Sequence, residues 1–362
     1  MSPAAKALAR RALMLAGRVL PGAACPVGYV VEAANWSIRW DGTYYAQAVN
    51  ARHPGTVEVT DRPWRHPGRV LHFGSQFVWE LWAAALPAAS RPVVTYFHGR
   101  PEDGPDMARH VDAFLKSVPR LAKVVTAAAE VEARLLSWGV PRAKLARVPL
   151  GVDTALLRPP TADQRAAARA ALGIPDGALA IGSFQKDGVG WGEGMEPKLI
   201  KGPDLFVEAM RRLARDFPVV AVLTGPARGY VKAGLEAAGV PFVHRWVEDF
   251  RDLGGCWHAL DLYLMTSREE GGPKAVLESM ATGVPLVCHR TGMAADVIED
   301  GTNAALVEVG AMDALVARAA ALLADQAARA AMAQAGRRTA EGWDWQAMGD
   351  ILWRDVYAEL LA

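Results

Sequence analysis

Residues 261–288 read DLYLMTSREEGGPKAVLESMATGVPLVC, and this stretch determines the fold expected for the second half of the chain. Its apolar runs at 261–265 and 284–288 predict two β-strands, and the residues between them, 273–282, predict a helix. Pro273 suits the first turn of that helix because its missing N–H would be unbonded there, and Gly283 is typical of a helix end. A strand–helix–strand order predicts parallel strands in a sheet covered by helices.

The same alternation extends in both directions along the chain. Further strand-like runs lie at 26–33, 69–74, 92–97, 122–127, 145–150, 179–184, 218–224, 241–246 and 304–308. Helical stretches separate most of them, near 43–52, 76–87, 105–118, 129–138, 203–215, 229–238 and 311–324. The pair Pro159-Pro160 breaks the pattern and predicts a linker. We therefore predict an α/β protein of two doubly wound, Rossmann-like domains, 1–160 and 161–343, that face each other across a cleft.

Length and composition agree with two globular domains in a chain of 362 residues. The 40 basic and 39 acidic residues leave a net charge of +1, so we expect no nucleic-acid partner. The three cysteines, Cys25, Cys256 and Cys288, are widely spaced and odd in number, which favours a reducing, cytoplasmic location over a disulfide framework. The sequence contains no run of about 18 uncharged apolar residues, so we expect no membrane-spanning segment.

The first twenty residues combine basic and apolar side chains. Lys6, Arg10 and Arg11 precede an apolar stretch that Arg18 interrupts, which a secretory signal rarely tolerates. The segment 3–20 instead predicts an amphipathic helix. Two interpretations stay open: a helix packed on the domain, which we favour, and peripheral contact with the inner face of a membrane.

The start of the predicted helix 273–282 is suited to an anion. Gly271 and Gly272 leave its first N–H groups uncovered, so these groups and the positive end of the helix dipole can meet a phosphate. Glu270 can accept hydrogen bonds from sugar hydroxyls, and Glu278, within the helix, from ribose hydroxyls. The structural alternative is that Glu270 caps the helix and Glu278 pairs with a lysine four residues before it. The order strand, Gly-Gly, Pro, helix, Gly favours the binding role.

Glu270 and Glu278 fit an E-x7-E motif, and with the residues from 267 to 285 the chain resembles the retaining GT-B glycosyltransferases of the large GT4 family. The stretches 297–301 (VIEDG) and 343–345 (WDW) are also similar to that family. The resemblance implies an acceptor domain, 1–160, a nucleotide-sugar donor domain, 161–343, and a final helix, 344–362, that joins the first domain. It also implies retention of the anomeric configuration, and chemistry that needs no metal and no other cofactor.

The resemblance also implies roles for residues outside the motif. Val93–Gly99 resembles a family strand whose histidine lies beside the transferred sugar and its acceptor, so His98 and Glu270 are the predicted catalytic residues. Gly42 retains one glycine of a family Gly-Gly pair close to the donor phosphate. Lys201, in a Lys-Gly pair, matches the family's phosphate-binding lysine.

One family residue is missing from the chain. The family has an arginine directly after a strand glycine, where this chain has Ser183. Lys186 is the predicted substitute, because a donor diphosphate needs a cationic partner. The Gly-rich loop at 188–194 follows, and we expect a mobile flap with no assigned contact. The predicted donor-binding residues are Gly42, Lys186, Lys201, Gly271, Gly272 and Glu278.

These residues predict a retaining glycosyltransferase that moves a sugar from a nucleoside-diphosphate sugar to a glycan, a lipid-linked saccharide or a small molecule. Two alternatives stay open. One is a GT-B sugar-nucleotide epimerase, which shares the architecture. The other is a non-catalytic nucleotide- or glycan-binding module, for which the missing arginine is the argument.

Overall fold

The computed structural model of the chain describes residues 3–17, 24–33, 37–66, 69–247 and 249–362. The strands within these residues are β1 (Val27–Val30), β2 (Val57–Thr60), β3 (Val70–Phe73), β4 (Arg91–Thr95), β5 (Lys123–Thr126), β6 (Leu145–Arg147), β7 (Leu179–Phe184), β8 (Val219–Thr224), β9 (Phe242–Arg245), β10 (Leu262–Met265), β11 (Leu286–His289) and β12 (Ala305–Val307).

The helices are α1 (Pro3–Ala16), α2 (Ser37–Arg52), α3 (Gln76–Trp82), α4 (Pro105–Ser117), α5 (Ala129–Ser137), α6 (Ala162–Ala171), α7 (Pro203–Leu213), α8 (Gly229–Ala237), α9 (Gly254–His258), α10 (Lys274–Ala281), α11 (Ala294–Val297), α12 (Met312–Ala324), α13 (Gln326–Glu341), α14 (Trp345–Leu352) and α15 (Ala358–Leu361). A π-helical turn, Trp353–Tyr357, joins the last two. Within the described residues, no helix has both the length and the apolar character that crossing a membrane requires.

The chain forms two compact units. The first comprises Met1–Gly151 and Trp345–Ala362, and the second comprises Val152–Asp344. The division after Gly151 lies before the boundary that the sequence places at residue 160.

The first unit contains a parallel sheet with the strand order β2-β1-β3-β4-β5-β6. Strands β1, β3 and β5 are buried along their whole length, as expected for parallel strands covered on both faces. Helix α14 packs on α2, where a Cβ added at Gly349 would overlap Ala48, and the Trp345 ring stacks on Tyr44 at 5.1 Å. These contacts attach the end of the chain to the first unit.

The second unit contains a parallel sheet with the strand order β12-β11-β10-β7-β8-β9. Strand β8 is buried at every position, and α7 packs against this sheet through Phe206 and Met210, both fully buried. Their spacing of four residues places the two side chains on one face of the helix. Arg211 and Arg212 follow on the more exposed side.

Each sheet has a topological switch point, at which the strand order reverses direction. It lies between β1 and β3 in the first unit and between β7 and β10 in the second. In doubly wound sheets, ligands bind beyond the carboxyl ends of the strands at such a point. The loops at these two places are therefore the first to inspect for a binding site.

The predicted α/β class with two doubly wound domains is confirmed by the two parallel sheets. Every strand predicted between 179 and 308 is present within a few residues of its expected bounds. Strand β2 was missed because it is a four-residue edge strand, buried only at its two ends. Helices α6 and α13 were also not predicted, since their alanine-rich sequences lack a strong apolar stripe.

Candidate active site

Glu270 lies in the loop between β10 and α10, beyond the carboxyl end of β10. Its carboxylate accepts hydrogen bonds from Lys201 Nζ at 2.6 Å and from the Ser267 hydroxyl at 2.8 Å. The side chains of the ion pair are largely buried, with 18% of Lys201 and 12% of Glu270 exposed. The pair connects the segments that follow β7 and β10, and therefore marks the switch point of the second sheet. The structure thus brings together two residues that the sequence predicted separately.

The backbone around Lys201 is held against the loop that carries Glu270. Gly202 has a left-handed conformation with φ of 64°, and a Cβ there would overlap the carbonyl oxygen of Thr266. The Thr266 hydroxyl donates to Gly202 O at 2.8 Å, and the Arg268 N–H donates to Ile200 O at 2.8 Å. Only glycine allows this close approach, so the Lys-Gly pair positions the lysine as well as supplying it.

Two further lysines, Lys186 and Lys198, lie near this pair. Lys186 Nζ lies 4.5 Å from the centre of the Trp191 ring, a cation–π contact. Burial lowers the pKa of Lys198, the ammonium groups of Lys201 and Lys186 lower it further, and Glu270 opposes them. Lys198 therefore lies close to the Lys201–Glu270 pair and to Lys186, so lysines outnumber the carboxylate in this group of four side chains. This excess of positive charge suits a polyanion such as a diphosphate.

An arginine from a distant part of the sequence, Arg228, lies beside Ser183, the residue that stands where the family has its arginine. Arg228, which directly precedes α8, donates from Nη1 to Ser183 O at 2.6 Å and from Nη2 to the Ser183 hydroxyl at 3.1 Å. Its side chain is fully buried. Arg228 therefore fills the space beside Ser183 without exposing its charge to a ligand.

The Gly-rich loop, for which the sequence assigned no contact, forms backbone contacts within its own unit. Gly188 pairs with Pro197 in an antiparallel bridge, and the Val189 N–H donates to Glu196 O at 2.9 Å. We call residues 187–198 the hairpin. Its Glu193 carbonyl accepts a hydrogen bond from the Gly229 N–H at 2.8 Å. The sequence could not predict these contacts, because glycines give no indication of which backbone groups a loop will meet.

Gly271 and Gly272 lie before α10, which begins at Lys274. Gly271 O accepts a hydrogen bond from the Met293 N–H at 3.0 Å, which connects this loop to the segment after β11. Glu278 lies within α10 and is buried, with 6% exposed. The predicted end of this helix is confirmed, since Gly283 has φ of 70° two residues after its last turn.

His98 lies in the first unit, beyond the carboxyl end of β4, and is half-buried. Gln76 holds its backbone in place. The Gln76 side-chain amide donates to His98 O at 2.8 Å and accepts from the Phe97 N–H at 3.1 Å. Gln76 is itself fully buried at the start of α3, so its amide is a fixed support for the His98 turn.

Gly42 lies within α2 and is buried against β1. A Cβ at this position would lie 2.6 Å from the Tyr29 ring and 3.2 Å from Val31. Close packing of helix on strand therefore accounts for the glycine. Its role near a donor phosphate stays a prediction.

Sequence reasoning missed three residues that shape the site: Ser267, Gln76 and Arg228. Ser267 carried a usable signal, since a hydroxyl three residues before a loop glutamate can reach its carboxylate. Gln76 and Arg228 carried none. Their partners, Phe97 beyond the end of β4 and Ser183 in β7, are 21 and 45 residues away, so only the folded chain brings them together.

Comparison with known proteins shows the family of the chain. Residues 196–339 match the sequence profile of "Glycosyl transferases group 1", and residues 66–156 match that of "Glycosyltransferase Family 4". The chain is 30% identical over 292 residues to the GDP-mannose-dependent alpha-(1-6)-phosphatidylinositol monomannoside mannosyltransferase of Mycolicibacterium smegmatis, covering 77% of this chain and 72% of that protein. It is 31% identical to the D-inositol 3-phosphate glycosyltransferase of Xylanimonas cellulosilytica, covering 66% of this chain and 57% of that protein.

Among solved structures, that of Anabaena Alr3699/HepE in complex with UDP and glucose has a similar fold, with a TM-score of 0.75 and 16% identity, covering 92% of this chain and all of the other. The fold is thus that of the GT-B glycosyltransferases. The chain belongs to the group 1 glycosyltransferases of glycosyltransferase family 4.

Proposed function

We propose that the chain is a retaining glycosyltransferase that binds the diphosphate of a nucleotide sugar at the switch point of its second unit. The observation that carries this proposal is the Lys201–Glu270 pair, 2.6 Å long and largely buried, with Lys186 and Lys198 beside it. A buried ion pair gives little net stability compared with apolar packing. Its position beyond the strand ends therefore favours a role in binding.

The charges of the site suit the departure of a nucleoside diphosphate. As the bond to the sugar breaks, negative charge accumulates on the phosphate oxygens while the sugar becomes oxocarbenium-like. Lys201, Lys186 and the backbone N–H groups of Gly271 and Gly272 stabilise that charge. When the diphosphate binds Lys201, Glu270 loses its cationic partner and becomes free to accept hydrogen bonds from sugar hydroxyls.

For the remaining predicted residues we propose the roles that the family resemblance implies. Glu278 accepts hydrogen bonds from the ribose, Gly42 lies close to the donor phosphate, and His98 lies beside the transferred sugar and its acceptor. The cationic side chains neutralise the diphosphate, so the reaction requires neither a divalent metal ion nor another cofactor.

The relatives suggest which substrates to examine first. The M. smegmatis relative is named for GDP-mannose and a phosphatidylinositol mannoside, and the structural neighbour was solved with UDP and glucose. We therefore propose a hexose donated from GDP or UDP, and a glycan or lipid-linked saccharide as acceptor. A small-molecule acceptor stays an alternative.

The test is to incubate the purified chain with GDP-, UDP- and ADP-sugars, with and without saccharide acceptors. A glycosyltransferase releases the nucleoside diphosphate and forms a new glycoside of the same anomeric configuration as the donor. An epimerase changes the sugar without release, and a binding module changes nothing. Either of these last two outcomes would overturn the proposal.

We also propose that the chain acts in the cytoplasm, in peripheral contact with a membrane through residues 3–20. Helix α1 is packed on the first unit, since Met14 is buried and Arg11 Nε donates to Ala84 O at 3.0 Å. Leu8 and Leu15 are seven residues apart and 70% and 62% exposed. Their apolar face, with basic residues on the same helix, suits an anionic lipid surface. Residues 18–20 lie outside the described part of the chain.

Sedimentation with anionic vesicles tests the membrane contact. We expect wild-type chain to bind phosphatidylglycerol vesicles and not neutral phosphatidylcholine vesicles. Replacing both Leu8 and Leu15 with serine should abolish that binding and leave transfer to a soluble acceptor intact. Equal sedimentation of both proteins would contradict the contact.

A further inference from the structure

The hairpin, residues 187–198, begins at a buried charge, Asp187, and ends at a half-buried one, Lys198. The Lys198 N–H donates to Asp187 O at 2.7 Å, which closes the hairpin. Asp187 Oδ1 lies 3.0 Å from Arg228 Nε, and both side chains are essentially inaccessible to solvent. Arg228 also donates to Thr224 O at 2.7 Å, at the end of β8. A buried pair is costly to break, because the remaining partner keeps an uncompensated charge. The base of the hairpin is therefore fixed to the sheet.

The other side of the hairpin is fixed to the start of α8. The N–H groups of Gly229 and Tyr230 donate to the carbonyls of Glu193 and Gly194 at 2.8 and 3.0 Å. These bonds satisfy amides that a helix start otherwise leaves unpaired. Gly194 has φ of 78°, and a Cβ there would overlap the backbone of Ala227. The hairpin is thus in close contact with its support.

Lys198, at the end of the hairpin, lies near the other lysines of the site. Its side chain is half-buried, and within the described residues its ammonium group forms no hydrogen bond or ion pair. It lies near two other lysines, Lys186 and Lys201, and near the Glu270 carboxylate, which is already paired with Lys201. A half-buried cation beside like charges is unfavourable without an anion. The missing partner is therefore expected to come from a ligand.

Lys198 is not among the residues to which the family resemblance assigns a role in donor binding. The group 1 profile matches from residue 196 onward, so most of the hairpin precedes the matched region. The hairpin separates Ser183, where the family has its arginine, from Lys201. Arg228, the arginine that contacts Ser183 within the described part of the chain, is paired with Asp187 and is inaccessible to solvent.

We propose that Lys198 is a diphosphate-binding residue that takes over the charge of the missing arginine, and that the Asp187–Arg228 pair positions it through the hairpin. This inference rests on the proposed function, because it assigns a third cation to the same diphosphate. Arg228 contributes only through the placement of the hairpin and is a positioning residue. Binding of the phosphate by Lys198 relieves the repulsion among the three lysines.

The first experiment measures binding by titration calorimetry with inorganic pyrophosphate, UDP and GDP as probes. Lys198→Met removes the charge, Lys198→Arg retains it, Lys201→Met is the positive control, and Lys232→Met is a lysine control in the same unit. We expect Lys198→Met to weaken binding of pyrophosphate and of the preferred nucleotide by about ten- to a hundredfold, the usual value of a charged hydrogen bond. Lys198→Arg should restore most of the affinity, and Lys232→Met should leave it unchanged.

The second experiment tests positioning with two glycines of the hairpin. Gly194→Ala places a Cβ against Ala227 and must displace the hairpin, whereas Gly192→Ala meets open space. We expect Gly194→Ala to weaken pyrophosphate binding several-fold and Gly192→Ala to have no effect. In the double variant Gly194→Ala/Lys198→Met, the loss should be smaller than the sum of the two single losses, because both act on one contact. Thermal unfolding of each variant shows whether it is folded.

The outcomes separate this inference from the proposed function. If Lys201→Met loses affinity and folded Lys198→Met binds all three probes like wild type, the role of Lys198 is wrong and the proposed function stands. Additive losses in the double variant overturn the positioning role. If wild type binds none of the probes, and releases no diphosphate from any nucleotide sugar, the proposed function fails and this inference with it.

Discussion

The two switch points of the chain have the same topology, but apolar side chains fill the first and charged side chains lie at the second. In the first unit, Gly74 follows β3 and its N–H donates to Val30 O at 2.9 Å. A Cβ at Gly74 would lie 2.8 Å from Ile38 and 2.9 Å from Tyr29, so apolar side chains fill the space. In the second unit, the corresponding loops carry the Lys201–Glu270 pair.

This difference shows that the topology of a doubly wound sheet defines where a ligand can bind, and that the side chains at that position determine which ligand binds. Near the first switch point, the uncharged amide of Gln76 holds the backbone of the His98 turn through a hydrogen bond. The lysine side chains at the second switch point suit an anionic ligand. We therefore expect substitution of the charged residues at the second switch point to change donor binding and turnover, and substitution of Gln76 or His98 to change turnover alone.

The largest effect is expected for Glu270→Gln. The neutral amide keeps only one acceptor oxygen and accepts more weakly than the carboxylate does, so kcat should fall by about a hundred- to a thousandfold. Removing the negative charge leaves Lys201 unpaired and lessens repulsion of phosphate, so UDP or GDP should bind several-fold more tightly. Steady-state kinetics and calorimetry measure the two effects.

The matched control for that variant is Glu308→Gln, a surface glutamate of the same unit paired with Arg290. It should leave both kcat and nucleotide affinity unchanged. Unchanged turnover of Glu270→Gln would show that this carboxylate is not part of the reaction centre.

The next effect concerns the first unit. His98→Ala should lower kcat by about a hundredfold, a value in the usual range for a positioned catalytic side chain, and leave calorimetric donor affinity unchanged. Gln76→Ala removes the support of the His98 turn and should lower kcat by a smaller factor. His53→Ala, on a ring stacked with Trp353, serves as the histidine control. A loss of donor affinity in His98→Ala without a loss of kcat would contradict this assignment.

The contrast between the units also explains what the sequence could predict. Glu270, Gly271, Gly272 and Glu278 lie in one continuous strand–loop–helix segment, where local order reveals their place at the sheet edge. Contacts such as that of Arg228 with Ser183 join distant parts of the chain, and no local pattern encodes them. The same reason accounts for the hairpin: its glycines allow a turn, but its partners at Ala227 and Gly229 belong to another loop.

A moderate effect is expected for Glu278→Ala. A contact to ribose is the same in the ground state and the transition state, so the variant should raise KM for the donor about tenfold with a smaller change in kcat. Because Glu278 is buried in α10, thermal unfolding should accompany the kinetics. A fall confined to kcat would move its contact from the ribose to the transferred sugar.

The smallest effect is expected for metal removal. Since lysines supply the charge that offsets the diphosphate, EDTA should leave the transfer rate unchanged, and adding Mg²⁺ or Mn²⁺ should not raise it. The measurement is the initial rate with each addition at constant ionic strength. A rate that EDTA abolishes and a divalent ion restores would show that the lysines are not sufficient.

The most direct test of the account is a crystal structure of the chain with UDP or GDP bound. We predict that the diphosphate lies at the switch point between β7 and β10, within hydrogen-bond distance of Lys201 Nζ and the N–H groups of Gly271 and Gly272. The Lys201–Glu270 distance should then exceed the present 2.6 Å, because the phosphate replaces the carboxylate. A diphosphate bound at the first unit's switch point, with Lys201 still paired to Glu270, would contradict the account.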